Sequence, residues 1–437
     1  MVRMFARREF LKLSVLVAGT GVLVSCAPKA TPTPQPKVEK ATAAPKAPTE
    51  KITLQHWYHE YGEAGCQEAV YRIAEEYTNM QDEVKVEVTW TPGAYADKLN
   101  TALAAGTGPD VYEHQLRYDH VRNKWAVELD DIINPVKDDF AESVLAQSTL
   151  EGHLWSIRML IDTGVVYYRK SMLDEAGISE PQTFSELFEA AKKLTTERRK
   201  GLFVGNDGGG IMQNQMAGAV GVRFVDYDAM VLDFNPPVLA AAWEKARELH
   251  HAGYLLIGSP TDWWDPGAFT QGLCAMCWGG LWMMPEVERR IGDDFFVNAW
   301  PPVHVEGGTP QYSTFLGGWQ QFVNAQSEHV SEAKELVKWM WIDNTDWQNE
   351  WNTAYGFHVP PRKTAKEANE KYREGNPKIA AEAMEKYGWD QGPMWNSAMG
   401  TALGDAYWHV VRDKEDAATE IQTAYDKCKQ ELEGQLK

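Results

Sequence analysis

The residues from Lys51 to Lys437 predict an α/β fold, and two features of the sequence carry this prediction. Short runs in which every second side chain is apolar are typical of strands. Along the chain they alternate with segments whose apolar residues repeat at helical spacing. The first strand, helix and second strand form a βαβ unit, which implies a parallel sheet with a right-handed crossover. The sequence contains no internal repeat.

The opening elements follow from residue spacing. Ile52 and Leu54 alternate with polar residues as a short strand, and valines at 84, 86 and 88 mark a second strand. A helix between them is indicated by apolar residues at i, i+3, i+4 and i+7, which are Val70, Ile73, Ala74 and Tyr77. A second helix is predicted over 95–105, and Gly106 marks its C-terminal end. A third strand is predicted to start at Val111.

The alternation continues in the second half of the chain. Thr183 and Glu186 form a capping box that starts a helix with an apolar stripe. Further helices are predicted near 239–249 and 333–341. Three tryptophans fall on these helical repeats and are expected to pack rather than to bind a ligand: Trp243, Trp339 and Trp341.

Cys274 and Cys277 have the spacing of a redox or zinc motif, but no second CxxC or histidine pair accompanies them. Residues 269–278 predict a buried strand, in which residues three apart lie about 10 Å apart on opposite faces. A disulfide requires Cα atoms within about 7 Å of each other. We therefore expect both thiols to pack in the core.

The N-terminus predicts export and a lipid anchor. Residues 1–25 combine a basic start with an apolar run that is shorter than the roughly 20 residues of a membrane span, which is typical of a signal peptide. Its end, Leu23-Val24-Ser25-Cys26, resembles a lipobox and makes Cys26 the expected lipidation site. Arg7 and Arg8 resemble a twin-arginine signal, and an ordinary Sec signal stays open. Residues 26–50 hold six prolines and no aromatic residue, and predict an extended linker.

The net charge and the absence of known motifs limit the kinds of partner and reaction that the sequence allows. The formal net charge of −19 argues against nucleic acid and against binding of the body to anionic membrane surfaces, and leaves neutral solutes open. The GxSxG, HExxH and EF-hand motifs are absent, and Asn206–Gly210 lacks the lysine of a P-loop. No cofactor, metal or catalytic residue is expected.

Several segments resemble the extracellular solute-binding proteins of the maltose-binding type. Residues 103–111 resemble that family's "ala-Gly-Thr-x-Pro-Asp-Val" turn, and residues 164–187 its "Tyr-Tyr-Asn-Lys…Pro-x-Thr-Trp-x-Glu-Leu" block, with Arg169 and Phe184 in place of Asn and Trp. Residues 269–282 and 317–360 continue the resemblance in family order. The family would supply a substrate to an ABC-type importer without changing it chemically.

The resemblance implies two α/β lobes with three crossovers and a ligand cleft between them. Motif by motif, it places the crossovers near 157–163, 315–318 and 357–361. Lobe 1 would comprise residues 51–160 and 318–357, and lobe 2 residues 161–317 and 358–437. A monomer is expected, with transmembrane importer subunits as partners.

A sugar site combines flat aromatic platforms with amides and carboxylates. Candidates therefore lie at strand ends and in loops, where open α/β sheets bind ligands. Trp282 is the strongest, because the family's Gly-x-Trp motif places a sugar-stacking ring there. The full set of expected ligand-binding residues is Trp57, Tyr58, Glu60, Tyr112, His114, Trp263, Trp264, Trp282, Trp319 and Trp395.

Three function classes remain open at this point. The first is a binding protein that captures a carbohydrate, an oligosaccharide by expectation, through lobe closure. The second is a secreted carbohydrate-active hydrolase, because two carboxylates about 5–9 Å apart in a sugar cleft would suffice. The third is an adhesion or scaffold lipoprotein. Binding without cleavage separates the first from the second.

Overall fold

A computed structural model describes residues 51–437 with the exception of residue 228. The predicted signal peptide, the Cys26 lipidation site and the linker lie outside the described residues. The strands are β1 (Ile52–His59), β2 (Val84–Thr91), β3 (Val111–His114), β4 (Thr149–Leu150), β5 (His153–Leu154), β6 (Ile157–Arg158), β7 (Gly164–Arg169), β8 (Lys200–Phe203), β9 (Val225–Asp226), β10 (Val231–Leu232), β11 (Cys274–Gly280), β12 (Phe295–Asn298), β13 (Thr314–Phe315), β14 (Gln320–Val323) and β15 (Gly388–Trp389).

The helices surround these strands. They are α1 (Cys66–Met80), α2 (Tyr95–Ala104), α3 (Tyr118–Arg122), α4 (Asp130–Ile133), α5 (Glu142–Ala146), α6 (Lys170–Glu175), α7 (Phe184–Leu194), α8 (Met212–Ala219), α9 (Pro236–His251), α10 (Gly267–Thr270), α11 (Met284–Ile291), α12 (Val330–Lys338), α13 (Thr345–Thr353), α14 (Lys363–Ala368), α15 (Gly375–Tyr387), α16 (Ser397–Val411) and α17 (Ala417–Gln435). None of the helices in the described part of the chain is both long and apolar enough to span a bilayer.

Two sheets organise the molecule into two α/β lobes. The first sheet has the strand order β2-β1-β3-β14-β6, with β1 parallel to β2 and β3, and β14 antiparallel to β3 and β6. The second has the order β12-β7-β11-β8, in which β11 runs parallel to β8 and antiparallel to β7. The expected α/β class and the parallel βαβ opening are therefore confirmed.

The predicted elements are present with small shifts at their ends. In α1 the expected inward residues are all buried, and α2 ends one residue earlier than predicted. The Thr183 side chain accepts from the Glu186 amide at 3.2 Å, whereas the Glu186 carboxylate accepts from the amide of Gln182 rather than that of Thr183. The N-terminus of α7 is thus capped as expected, with the reciprocal bond shifted by one residue.

The expectation for residues 269–278 is wrong in two respects. Phe269 lies in the helical turn α10, and the strand begins only at Cys274. The side chains of Cys274 and Cys277 interact, so they do not lie on opposite faces. The expectation that both thiols pack in the core is confirmed, since Cys274 and Cys277 are buried and free. Burial, and then the adjacent Cys274, raise the pKa of Cys277 and keep its thiol protonated.

Three chain segments between the sheets, called the crossing segments below, lie side by side; they contain Ile161 with Asp162, Gly317 with Gly318, and Val359. Ile161 exchanges two backbone hydrogen bonds of 2.9 Å with Val359, and Asp162 exchanges two with Gly317. Gly318 follows with φ +107°, and any side chain there would collide with the carbonyl oxygen of Leu160. A glycine is therefore required where the segments touch.

Candidate ligand-binding cleft

A cavity of about 1070 Å³ opens between the ends of the two sheets. It lies at the carboxyl end of β1 and beside the loops that flank β11, the edge at which open α/β sheets bind ligands. Its charged and aromatic lining residues are His59, Glu60, Tyr61, Glu63, Asp162, Trp264, Asp265, Trp282, Glu286, Arg289, Trp319, Tyr355 and His358.

The buried carboxylate of Glu113 positions the wall on the side of the first sheet. Its Oε1 accepts from the backbone amide of His59 and contacts that residue's ring nitrogen Nδ1, and its Oε2 accepts from the hydroxyl of Tyr61 at 2.7 Å. The Tyr95 hydroxyl donates to the Glu113 carbonyl at 2.9 Å. Burial, and then the charge of Glu113, raise the pKa of Tyr61, so this phenol stays a donor. Glu113 therefore fixes the loop after β1.

Trp319 supplies a flat platform on this wall. Its ring stacks on His59 with centroids 3.9 Å apart and an interplanar angle of 25°, and Tyr95 approaches its edge at 6.2 Å. The ring is half-buried. The contacts with His59 and Tyr95 therefore fix the orientation of this ring in the cavity wall.

Tryptophans also form the opposite wall. The indole N–H of Trp282 donates to the carbonyl oxygen of Trp264 at 3.0 Å, which ties the loop before α10 to the turn after β11. Trp263 packs against Trp282 with ring centroids 5.9 Å apart. Trp264 is 54% exposed. A side chain at Gly280 would overlap the Trp282 ring, so this glycine allows the ring to lie over the backbone.

A buried ion triad closes the floor of the cleft. His358 Nδ1 lies 2.5 Å from Asp162 Oδ1, and its Nε2 lies 3.2 Å from Glu63 Oε1. Burial alone would lower the pKa of His358, but the two carboxylates raise it to about 10. Burial acts upward on the pKa of Glu63, yet the bond to His358 lowers it overall. The imidazolium thus joins two of the crossing segments to the loop after β1.

The rim carries paired charges. The Glu286 carboxylate accepts from Arg289 Nε and Nη2 at 2.6 Å and also binds Arg290. These hydrogen bonds, the Arg289 bond first, lower the pKa of Glu286 to about 2. Glu60 is exposed and lines the cavity without such a partner among the described residues. Carboxylate and guanidinium groups of this kind can accept from and donate to sugar hydroxyls.

The structure brings four of the expected site residues to the cavity wall: Glu60, Trp264, Trp282 and Trp319. Trp263 packs directly behind Trp282. Trp57 and His114 are half-buried and lie outside the lining of this cavity.

Three expected site residues are buried in the core, so their assignment to the cleft surface is corrected. Tyr58 is fully buried on the face of β1 opposite to His59, and its hydroxyl accepts from Gln321 at 3.1 Å. Tyr112 is fully buried and stacks on Phe322 with centroids 5.2 Å apart. Trp395 is buried against Phe224 with centroids 4.7 Å apart. Strand alternation and helix packing turn these rings inward.

Sequence reasoning missed Tyr61, Glu63, Asp162 and His358. His358 lies within residues 357–361, where the resemblance places the third crossover. This position could have indicated that His358 lies at the cleft. Its partners are far away in sequence, so only the fold brings them together.

Comparison with known proteins places the chain in a family. A family model described as "Bacterial extracellular solute-binding protein" matches residues 72–386. The polygalacturonan/rhamnogalacturonan-binding protein YtcQ of Bacillus subtilis (strain 168) is 30% identical over 202 residues, which are 44% of this chain and 38% of that protein. The chain thus spans well under half of the length of that relative.

Two further similarities cover more of the chain. The lactose-binding protein of Rhizobium radiobacter is 23% identical over 70% of this chain and 74% of its own. An ABC transporter solute-binding protein from Thermotoga lettingae TMO, solved with α-D-tagatose, has the same fold with a TM-score of 0.74, 19% identity, and coverage of 87% of this chain and 100% of that one. Because the family model matches most of its length, the chain belongs to the bacterial extracellular solute-binding proteins.

Proposed function

We propose that this protein captures an oligosaccharide in the cleft by lobe closure and delivers it to the membrane subunits of an ABC-type importer. The observation that carries the proposal is the pairing of aromatic platforms across the cavity, with Trp319 on one wall and Trp264 and Trp282 on the other. Such rings pack on the apolar faces of a sugar, while Glu60 and Arg289 are available to its hydroxyls. The named ligands of the relatives support a carbohydrate.

Closure is the proposed working motion. We propose lobes of residues 51–160 with 318–357, and 161–317 with 358–437, which move about the three crossing segments. Arg362 and Thr364 bind Asp139 of the first lobe. We therefore propose that the third crossing continues to about residue 365, and that the last part of the second lobe starts after it. Backbone pairing among the segments supports a hinge that bends without coming apart.

Export and anchoring are part of the proposal. We propose that residues 1–25 direct export and that Cys26 carries the lipid, with residues 26–50 as the tether. Cys26→Ser should release a folded, ligand-competent protein from washed membranes, because Cys26 is the sole proposed anchor. Retention of this variant on membranes would contradict the assignment.

A panel of neutral and acidic oligosaccharides tests binding against hydrolysis. The melting temperature and the appearance of shorter products are measured on the same sample. We expect stabilisation by at least one sugar and no cleavage. Glu63 and Asp162 are both engaged by His358, which makes them unsuited to act as a catalytic acid and base. Turnover of any sugar would establish a hydrolase instead.

A further inference from the structure

A second, smaller cavity adjoins the same crossing segment. Its volume is about 220 Å³. Phe315 and Gly317 belong to its wall, as Trp319 belongs to the wall of the large cleft. It receives side chains from both lobes, with Gln115, Arg117 and Arg158 from the first and Asn214 and Asp390 from the second. Its size suits one sugar unit rather than a chain.

Arg158 is a buried cation that forms no ion pair with a carboxylate among the described residues. It is 4% exposed, and its Nε has no hydrogen-bond partner within the described part of the chain. Its Nη1 donates to the Gly317 carbonyl at 3.2 Å, and its Nη2 donates to the amide oxygen of Gln147. These acceptors are neutral, so Arg158 makes no direct ion pair with any residue that the structure describes. Burial lowers the pKa of Arg158 to about 10, and the more distant charges of Asp390 and then Asp162 oppose this effect. A buried guanidinium in this state is costly unless a counter-charge approaches it.

Arg117 brings a second cation to the same cavity. It donates to the Leu116 carbonyl at 3.2 Å and to the Gln115 side chain at 3.0 Å, again to neutral acceptors. Among the described residues, no carboxylate oxygen lies within ion-pair distance of Arg117 or Arg158. Burial lowers the pKa of Arg117, and Asp390 opposes this effect. Both guanidinium groups therefore have charge to offer a ligand.

Asp390 is the acidic group of this cavity, and a neutral side chain engages it. Its Oδ2 accepts from the Gln147 amide at 2.6 Å. Gln147 thus stands between Asp390 and Arg158, since the same side chain accepts from Arg158. Among the residues that line this cavity, two cations therefore face one anion.

We propose that this cavity binds the carboxylate of an acidic sugar unit, of the uronate class, between Arg117 and Arg158. The inference rests on the proposed carbohydrate function and specifies its substrate class. A planar carboxylate matches the guanidinium fork. Two cations that face one anion suit a singly charged carboxylate better than a doubly charged phosphate ester beside Asp390. Asn214 and Asp390 remain to bind hydroxyls of the same unit.

The test compares a short oligogalacturonate with its methyl ester, which has the same shape and no charge. Calorimetry on the full mature protein at low ionic strength should give at least about tenfold tighter binding of the acid, the scale of one charge-assisted contact. Arg117→Gln should bring the acid and the ester within about threefold of each other. Arg122→Gln, which removes an exposed charge from α3, serves as the matched control and should keep the preference.

The following results would contradict the inference or the function on which it rests. Equal binding of acid and ester, or a preference that survives Arg117→Gln, overturns the inference while leaving a neutral-sugar function intact. Tighter binding of galactose 6-phosphate than of galacturonate overturns the choice of carboxylate. Failure of every neutral and acidic sugar to bind overturns the carbohydrate function, and this inference with it. Arg158→Gln is a second variant, used where circular dichroism shows native folding, and should also abolish the preference.

Discussion

At the scale of single residues, the cleft separates rings that can meet a ligand from rings that hold the fold. Trp282 is half-buried beside Trp264, whereas Trp243 is fully buried in α9. Both side chains are tryptophans, but their surroundings differ: Trp282 lines the cavity, whereas Trp243 packs in the core.

Trp282→Ala should weaken sugar binding by roughly 1–3 kcal/mol, because it removes an aromatic platform from the cavity wall. The melting temperature of the ligand-free protein should change little. Trp243→Ala, the packing control, should instead cost about 3–5 kcal/mol of stability through the cavity it leaves. Calorimetric affinity and thermal unfolding are measured on the same preparations. Strong destabilisation by Trp282→Ala with native affinity would remove this residue from the site.

The His358 triad predicts a pH dependence. Pairing with Asp162 and Glu63 raises the pKa of His358 from 6.5 to about 10, so its charge stabilises the folded state fully below pH 6.5. This stability is lost as the pH rises through about 10. The pKa of Glu63 is lowered, so the stability that its carboxylate contributes is lost as the pH falls through that lowered pKa.

His358→Gln should therefore reduce the free energy of unfolding most near pH 6, by roughly 3–5 kcal/mol for a buried pair that loses one partner. The difference from the unmodified protein should shrink between pH 7 and pH 10. Urea unfolding at pH 6 and pH 9.5 measures it, with the exposed His304→Gln as control. A difference that is constant with pH would contradict a charged triad.

At the scale of elements, the crossing segments depend on close backbone approach. Gly318 combines φ +107° with a position against the Leu160 carbonyl, so neither its conformation nor its space admits a side chain. The backbone bonds of Asp162 to Gly317 lie next to it.

Gly318→Ala should destabilise the protein by more than about 1 kcal/mol, because alanine is strained at positive φ and displaces the neighbouring segment. Gly434→Ala, in α17 with open space around it, should stabilise by up to about 1 kcal/mol. Urea denaturation of both variants compares them. A neutral Gly318→Ala would mean that the segments can separate at no cost.

At the scale of the whole molecule, ligand binding and shape are coupled if the lobes close. Trp319 and Trp282 line the cavity from two sides. Under the proposed closure, a sugar contacts both rings at once only when the lobes are closed. Binding therefore selects that state.

Saturating ligand should reduce the radius of gyration in small-angle scattering. The double variant Trp282→Ala/Trp319→Ala should remain at the ligand-free radius under the same conditions, because it lacks both platforms. An unchanged radius in the unmodified protein, with binding confirmed by calorimetry, would indicate a cleft that is closed beforehand.

The sequence by itself determined the α/β class, the order of β1, α1, β2, α2 and β3, the cap at Thr183 and the family resemblance. These depend on spacing within one element or on local motifs, which a linear pattern carries directly. The proposed role of Trp282 comes from the same kind of local motif, since Gly280 and the strand that precedes it lie next to it in the chain, and the structure gives its position on the cavity wall.

Only the tertiary structure decided which rings face the cleft and which polar groups meet. Tyr58 and His59 are neighbours in the sequence, yet strand alternation buries one and exposes the other to the cavity. Glu63, Asp162 and His358 converge across the fold, as do Arg117, Arg158 and Asp390. Such groups are brought together by crossing segments between two sheets, and no local periodicity encodes distances between residues so far apart.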